Sequence, residues 1–145
     1  MDSKKEQATA LFRGGFNCAQ AVLAVFCEDY GMDKDLALKT TSGFGGGFRS
    51  GELCGAVSGA VSVIGLKYGH CIDGDMDAKS TCNRKTIEFM NLFKQKNKSV
   101  VCREILKFDL SIKEEYEQAQ NQKLFKTICV NMIESAVELL EDLGY

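Results

Sequence analysis

The stretch over residues 42–69 constrains this chain most, because a dense run of glycine leads directly into a long apolar segment. Glycine permits positive φ angles and a close approach of the backbone to other groups. The segment after the glycines is apolar nearly all round, which is typical of a helix buried on several sides. Cys54 stands where the glycine run ends. We therefore predict a glycine-rich loop followed by a buried central helix over about residues 52–68, with Cys54 at its start.

The remaining hydrophobic pattern predicts further helices and no sheet. Apolar residues recur at helical spacing, and no segment keeps the alternation of a half-buried strand. A chain of 145 residues with 45% hydrophobic residues can bury a proper core. The sequence thus predicts an all-α fold, a single-domain helical bundle over residues 1–145. The other predicted helices cover residues 4–13, 18–30, 34–41, 78–95, a short segment after Ser99 and 124–143, with caps at Ser3, Asn17, Asp33, Asp77 and Ser99.

Charge and hydropathy exclude several classes of partner. The formal net charge is −2, with lysines and acids mixed along the chain, which argues against a nucleic-acid surface. The apolar part of residues 53–66 is too short for a membrane span. No apolar stretch follows the charged residues 1–7, so we expect no signal peptide and a cytoplasmic location.

Seven cysteines are the main chemical signal. An odd number in a cytoplasmic chain argues against a set of structural disulfides and favours catalytic, redox-active or metal-binding roles. Cys82 falls on an apolar helix face and is interpreted as a structural residue. Cys27 falls near the end of its helix, where the dipole disfavours a thiolate, and is interpreted as inert. Cys71, beside the single histidine His70, is interpreted as a loop residue. The other four share a position at the predicted starts of helices, where unpaired N–H groups and the helix dipole favour a thiolate. They are Cys18, Cys54, Cys102 and Cys129.

Two kinds of chemistry remain open for these four cysteines. In the first, a thiolate at Cys54 attacks a disulfide or oxidant and is resolved by Cys18, Cys102 or Cys129, as in a thiol-dependent oxidoreductase with a redox partner or a small-molecule substrate. In the second, all four are metal ligands that hold zinc or an iron–sulfur cluster. Their long separations lack the paired close spacing of zinc ribbons and ferredoxins. The sequence ranks the thiol chemistry first.

A third hypothesis assigns the glycine loop to the binding of a phosphate or another anion, with Arg49 as the ion partner. The loop lacks the Gly-Lys-Ser/Thr of a P-loop and has no preceding strand, so this hypothesis ranks third. We do not expect a serine or histidine hydrolase, because His70 is the single imidazole and neither a Gly-x-Ser-x-Gly elbow nor a cysteine-protease signature is present. The predicted cofactor-binding residues of the loop are Gly45, Gly46, Gly47 and Gly55.

The arrangement of these motifs resembles a family named for its C_GCAxxG_C_C cysteine pattern. Residues 17–22 (NCAQAV) are similar to its first cysteine motif, and residues 43–47 (GFGGG) followed by 54–60 (CGAVSGA) to its central signature. Residues 102–104 (CRE) and 124–129 (LFKTIC) are similar to the third and fourth motifs. The resemblance covers nearly the whole chain and implies a small bacterial or archaeal protein with a redox role. It also implies that the family's four cysteines are those at the predicted helix starts.

Overall fold

The computed structural model describes residues 2–145, and these residues form helices without any strand. The predicted all-α fold is confirmed. Within the same residues, none of the helices has both the length and the apolar character needed to cross a membrane. The α-helices are α1 (Lys4–Arg13), α2 (Cys18–Ala24), α3 (Lys34–Thr40), α4 (Gly55–Tyr68), α5 (Met76–Asn97), α6 (Cys102–Leu106), α7 (Lys113–Asn121) and α8 (Ile128–Asp142). Short 3₁₀ turns cover Cys27–Tyr30 and Leu124–Lys126.

Helix α4 is the buried central helix that the apolar segment predicted. It packs against α2, α5 and α8, and Val57, Ala60 and Val63 on it have no exposed surface. Helix α2 comes closest at Gly59, where an added Cβ would lie 2.7 Å from the carbonyl oxygen of Ala19 and 2.9 Å from its Cα. A larger residue than glycine would push the two helices apart. The glycine-rich loop therefore leads into a helix that is in contact with much of the core.

The predicted caps of the first three helices are confirmed. Ser3 and Asn17 each form a capping box, in which the residue three positions later returns a hydrogen bond to the cap backbone. Asp33 accepts a hydrogen bond from the N–H of Leu36 at 3.1 Å. The cap predicted at Asp77 is wrong, because Asp75 accepts from the N–H of Ala78 at 3.1 Å and α5 begins earlier, at Met76.

Helix α2 is shorter than predicted. It ends at Ala24, and the chain continues as a 3₁₀ turn closed by Gly31 at a φ of 79°. The ammonium group of Lys4 on α1 donates to the carbonyl oxygen of Val25 at 2.8 Å. A carbonyl satisfied in this way needs no helical N–H partner, so a contact with a distant residue allows the helix to stop early.

The central helix also begins later than predicted, at Gly55 instead of residue 52. Leu53 pairs with Val101 in an isolated antiparallel bridge. The bridge is closed by hydrogen bonds from the N–H of Cys54 to the carbonyl of Val100 at 2.8 Å and from the N–H of Cys102 to the carbonyl of Glu52 at 2.6 Å. This extended pairing uses backbone groups that a longer helix would have needed, and it delays the first helical residue.

Candidate functional site

All four singled-out cysteines lie at helix starts, as expected. Cys18 is the first residue of α2, Cys54 is the N-cap of α4, and Cys102 is the first residue of α6. Cys129 is the second residue of α8, which follows the 3₁₀ turn Leu124–Lys126. The four helices converge, and all four cysteines line one cavity of about 780 Å³.

The Leu53–Val101 bridge fixes the backbones of Cys54 and Cys102 relative to each other. The two hydrogen bonds of the Leu53–Val101 bridge use the N–H groups of these two cysteines. Both side chains are nearly buried, with 7% of each residue exposed. The local sequence carried no sign of this pairing, because two isolated residues cannot display the alternation of a strand.

The glycine loop packs directly against the cysteines. Gly47 has a φ of 64°, and a Cβ on it would lie 2.9 Å from the Cβ of Cys102. A Cβ on Gly55 would lie 3.1 Å from the Cβ of Cys18. Only glycine fits the first position, where the left-handed backbone and the close contact act together. The loop thus lets the cysteine-bearing segments approach each other more closely than ordinary side chains would allow.

The loop also contains a left-handed turn that the sequence did not reveal. Four consecutive residues have positive φ angles, and two of them, Phe48 at 60° and Arg49 at 57°, are not glycine. This conformation costs an L-residue about 1–2 kcal/mol. Such strain is concentrated at functional sites. Here it places Arg49 at the cavity, with its guanidinium 5.9 Å from the ring centroid of Tyr116.

The expectation of a thiolate at Cys54 is wrong. Burial raises the pKa of Cys54 to about 11, although the backbone N–H groups of Ala56 and Val57 counteract part of this increase. Burial also raises the pKa of Cys102 to about 12, with smaller contributions from the neighbouring Cys54 and Cys129. The loss of hydration at these two sulfurs therefore outweighs the stabilisation that a helix start provides. Both cysteines are thiols at neutral pH.

Cys18 and Cys129 behave as a coupled pair. The interaction between their side chains raises the pKa of Cys18 well above its ordinary value of 9.0, and burial adds to the increase. The same interaction lowers the pKa of Cys129, against the opposing effect of burial. The directions of the two shifts favour a pair in which Cys18 keeps its proton and Cys129 loses its own. Both residues are partly exposed.

The four loop glycines predicted to bind a cofactor all line the cavity. Protein atoms already surround several of them, and a Cβ on Gly45 would lie 2.6 Å from the Cβ of Asn17. Packing therefore accounts for glycine at this position without any ligand. Cofactor binding by Gly45, Gly46, Gly47 and Gly55 stays a prediction.

The remaining cysteines do not line the cavity. Cys27 is fully buried in the core and donates to the carbonyl of Ala24 at 3.4 Å. Cys82 is half-buried against the core, and Cys71 is exposed. Their placement agrees with the interpretation that these three are outside the site.

The metal-ligand hypothesis receives no geometric support from residues 2–145. In that part of the chain no group of three or more His, Cys, Asp or Glu side chains is arranged to hold a metal ion. Ligation of zinc or an iron–sulfur cluster by Cys18, Cys54, Cys102 and Cys129 stays a prediction.

Several cavity residues were not singled out from the sequence. Besides Arg49, which the anion hypothesis named, the walls include aromatic rings and the cationic side chains of Arg13 and Lys126. A weak sequence signal existed for the cations, since Lys126 precedes Cys129 by three residues and Arg49 lies in the glycine run. The aromatic residues gave no such signal, because they are indistinguishable from core residues in the sequence. They are Phe12, Phe16, Tyr116 and Phe125.

One of the comparisons with known proteins identifies a family. The profile of a family described as "Putative redox-active protein (C_GCAxxG_C_C)" matches residues 16–143, a range that contains all four cavity cysteines. No curated protein and no solved structure matches the chain. Since the match extends over most of the sequence, the chain belongs to the C_GCAxxG_C_C family of redox-active proteins.

Proposed function

We propose that this protein carries out thiol–disulfide exchange, with Cys129 as the attacking thiolate and Cys18 as the resolving thiol. The coupled pair is the observation that supports this proposal. A dithiol that reduces a disulfide needs two interacting thiols, one of which ionises more readily, at a cavity large enough for a small molecule, and Cys18 and Cys129 meet this description. The redox description of the family points in the same direction.

The exchange takes place in two displacements. Cys129 first attacks one sulfur of a substrate disulfide, the substrate S–S bond breaks, and one half remains attached to Cys129 as a mixed disulfide. The other half leaves as a thiolate and takes the proton of Cys18. The newly formed Cys18 thiolate then attacks the Cys129 sulfur and expels the second half, which takes a proton from water. The protein dithiol is oxidised by two electrons to a Cys18–Cys129 disulfide, and the substrate disulfide is reduced to two thiols.

Cys54 and Cys102 are not assigned to the first exchange. With pKa values of about 11 and about 12, they hold very little thiolate at neutral pH. Attack on a disulfide depends on the thiolate fraction. The proposal therefore transfers the nucleophilic role from Cys54, the residue favoured by the sequence, to Cys129.

Oxidation followed by peptide mapping tests the proposal. The reduced full-length chain is treated with one equivalent of a small disulfide, alkylated, digested without reduction and analysed by mass spectrometry. We expect a Cys18–Cys129 linkage as the main product, with two thiols lost per chain. Cys18→Ser is expected to stop at the mixed disulfide on Cys129, and Cys129→Ser to react slowly at the site. Cys27→Ala, which removes a thiol outside the cavity, is the matched control and should form the linkage normally.

Two results would overturn the proposal. One is oxidation only at exposed Cys71, with no linkage between Cys18 and Cys129. The other is tightly bound stoichiometric zinc or iron in anaerobically purified protein that is lost in Cys54→Ser, since that result favours the four-ligand metal hypothesis.

A further inference from the structure

The charges around the cavity are all of one sign. Its ionisable residues other than cysteine and tyrosine are Arg13, Arg49 and Lys126, and no carboxylate lines it. This is unexpected in a chain with 18 basic and 20 acidic residues. The second cavity of the described residues, about 580 Å³, is lined by Asp2, Glu28 and Asp29 together with two lysines. The bias is therefore specific to the cysteine cavity.

The three cations are also free to meet a ligand. All three are exposed, and within residues 2–145 none of them forms an ion pair. Arg49 acts on the site already, since its charge lowers the pKa of Cys102 against the effect of burial. The three exposed cations therefore make the surroundings of the cavity positive, whereas its cysteines lie in less polar surroundings. Cavities with low-dielectric walls and one sign of charge concentrate ligands of the opposite sign.

The size and the walls of the cavity further restrict the kinds of ligand that fit it. A volume of about 780 Å³ is within the range of about 300–1,000 Å³ that is usual for small-molecule sites. Phe12, Phe16, Tyr116 and Phe125 contribute apolar surface. Aromatic walls with a few charged groups suit an organic molecule with a flat or apolar body and anionic substituents.

We infer that the cavity selects a small organic disulfide with carboxylate or similar anionic substituents and an apolar body. Arg13, Arg49 and Lys126 bind the anionic groups, the aromatic residues contact the body, and the disulfide sulfur meets Cys129. This substrate class rests on the proposed thiol–disulfide exchange. It extends the anion hypothesis, which named the glycine loop and Arg49, to the side chains of Arg13 and Lys126 at the same cavity.

Reaction rates with reagents of different charge test the inference. We use the full-length Cys71→Ser protein, which lacks the exposed loop thiol, and measure its oxidation in a single turnover. One reagent is dithiobis(nitrobenzoate), an anionic aromatic disulfide, and the other is the neutral disulfide dithiodipyridine. Combined Arg13→Gln, Arg49→Gln and Lys126→Gln should lower the rate constant for the anionic reagent by about tenfold or more. The neutral reagent should respond by less than about twofold, because it has no charge to be steered.

A matched control removes the same charge elsewhere. Lys79, Lys94 and Lys113 are exposed and do not line the cavity, so their combined replacement by Gln should leave the ratio of the two rate constants unchanged. The rate constants of both reagents are also measured at increasing salt concentration on protein with all three cavity cations in place. This measurement needs no charge variant, so it remains valid even if Arg49→Gln disturbs the strained loop. Raising the ionic strength should slow the anionic reagent and hardly affect the neutral one, because salt screens the exposed cations.

The outcomes distinguish the proposed thiol–disulfide exchange from the inferred anionic substrate class. If neither reagent yields a Cys18–Cys129 disulfide, the proposed function is overturned and the substrate class with it. If both reagents yield the disulfide but the anionic rate is insensitive to the cavity charges and to salt, the inference is wrong and thiol–disulfide exchange stands. A selective loss of the anionic rate supports both.

Discussion

Replacing Cys18 with alanine is expected to make Cys129 less reactive, although the substitution leaves the Cys129 side chain itself unchanged. Interaction with Cys18 is the cause that lowers the pKa of Cys129, and burial opposes it. When the thiol donor is removed, only the effect of burial remains. The pKa of Cys129 should then rise from below its ordinary value of 9.0 to above it, so less thiolate is present at neutral pH.

The size of the effect follows from the strength of the lost interaction. A hydrogen bond to a charged group contributes about 1.5–3 kcal/mol, and each 1.36 kcal/mol changes an ionisation constant about tenfold. A thiol is a weak donor, so the lower figure applies. We expect Cys18→Ala to reduce the thiolate fraction of Cys129 at pH 7 by about tenfold. Cys18→Ser keeps an O–H donor at the same position and should retain most of the reactivity.

Alkylation rates measure this change directly. Iodoacetamide labelling of the reduced chain, quantified by peptide mass spectrometry over a range of pH, yields the rate for each cysteine separately. The labelling of Cys129 should reach half its maximum below pH 9 in the unsubstituted protein and above it in Cys18→Ala. Exposed Cys71 does not line the cavity and is an internal reference whose rate should be the same in every variant.

Two results would refute the reasoning. Equal labelling of Cys129 in the unsubstituted protein and in Cys18→Ala would mean that Cys18 does not stabilise the thiolate. A loss in Cys18→Ser as large as that in Cys18→Ala would mean that a change of packing, and not the loss of a donor, reduces the rate.

Three further predictions concern the surroundings of this pair. Gly47→Ala should lower the free energy of unfolding, measured in urea, by at least about 1–2 kcal/mol, because the backbone at this position is left-handed. Gly43→Ala is the control: no atom lies within 4 Å of the added Cβ, so the free energy of unfolding should change by less than about 0.5 kcal/mol. Equal effects of the two substitutions would refute the strain argument. In the native protein at pH 8, Cys54 and Cys102 should resist alkylation by iodoacetamide and become labelled only after unfolding, because their pKa values are about 11 and about 12; labelling as fast as that of Cys129 would contradict this. Asn17→Ala should reduce stability by about 1–2 kcal/mol, since it removes a capping box and the amide bonds to residues 41 and 42, and an unchanged thermal midpoint would contradict the importance of this cap.

Much of the fold could be predicted because its signals are local. Helical periodicity predicted the all-α class, and the side chains of Ser3, Asn17 and Asp33 predicted the correct helix starts, since a cap depends only on the next few residues. Cys18 lies at a helix start for the same reason, because Asn17 caps α2. Helices α6 and α8, which carry Cys102 and Cys129, have no side-chain cap, and the cap predicted at Ser99 is wrong because Val101 is the N-cap of α6. The predicted end of α2 was wrong because a distant residue intervenes: Lys4 donates a hydrogen bond to the carbonyl oxygen of Val25.

The sequence by itself singled out the four cysteines that line the cavity, because thiols are rare and their position at helix starts is a local property. Only the tertiary structure decided how these thiols are buried and which of them interact. Burial raises the pKa values of Cys54 and Cys102, and the interaction between Cys18 and Cys129 shifts their two pKa values in opposite directions. The pKa of a thiol depends on hydration and on neighbouring groups, and in this protein the neighbours come from helices that are far apart in the chain. The glycine run therefore predicted where the cavity lies, whereas the convergence of α2 and α8 brings Cys18 and Cys129 together.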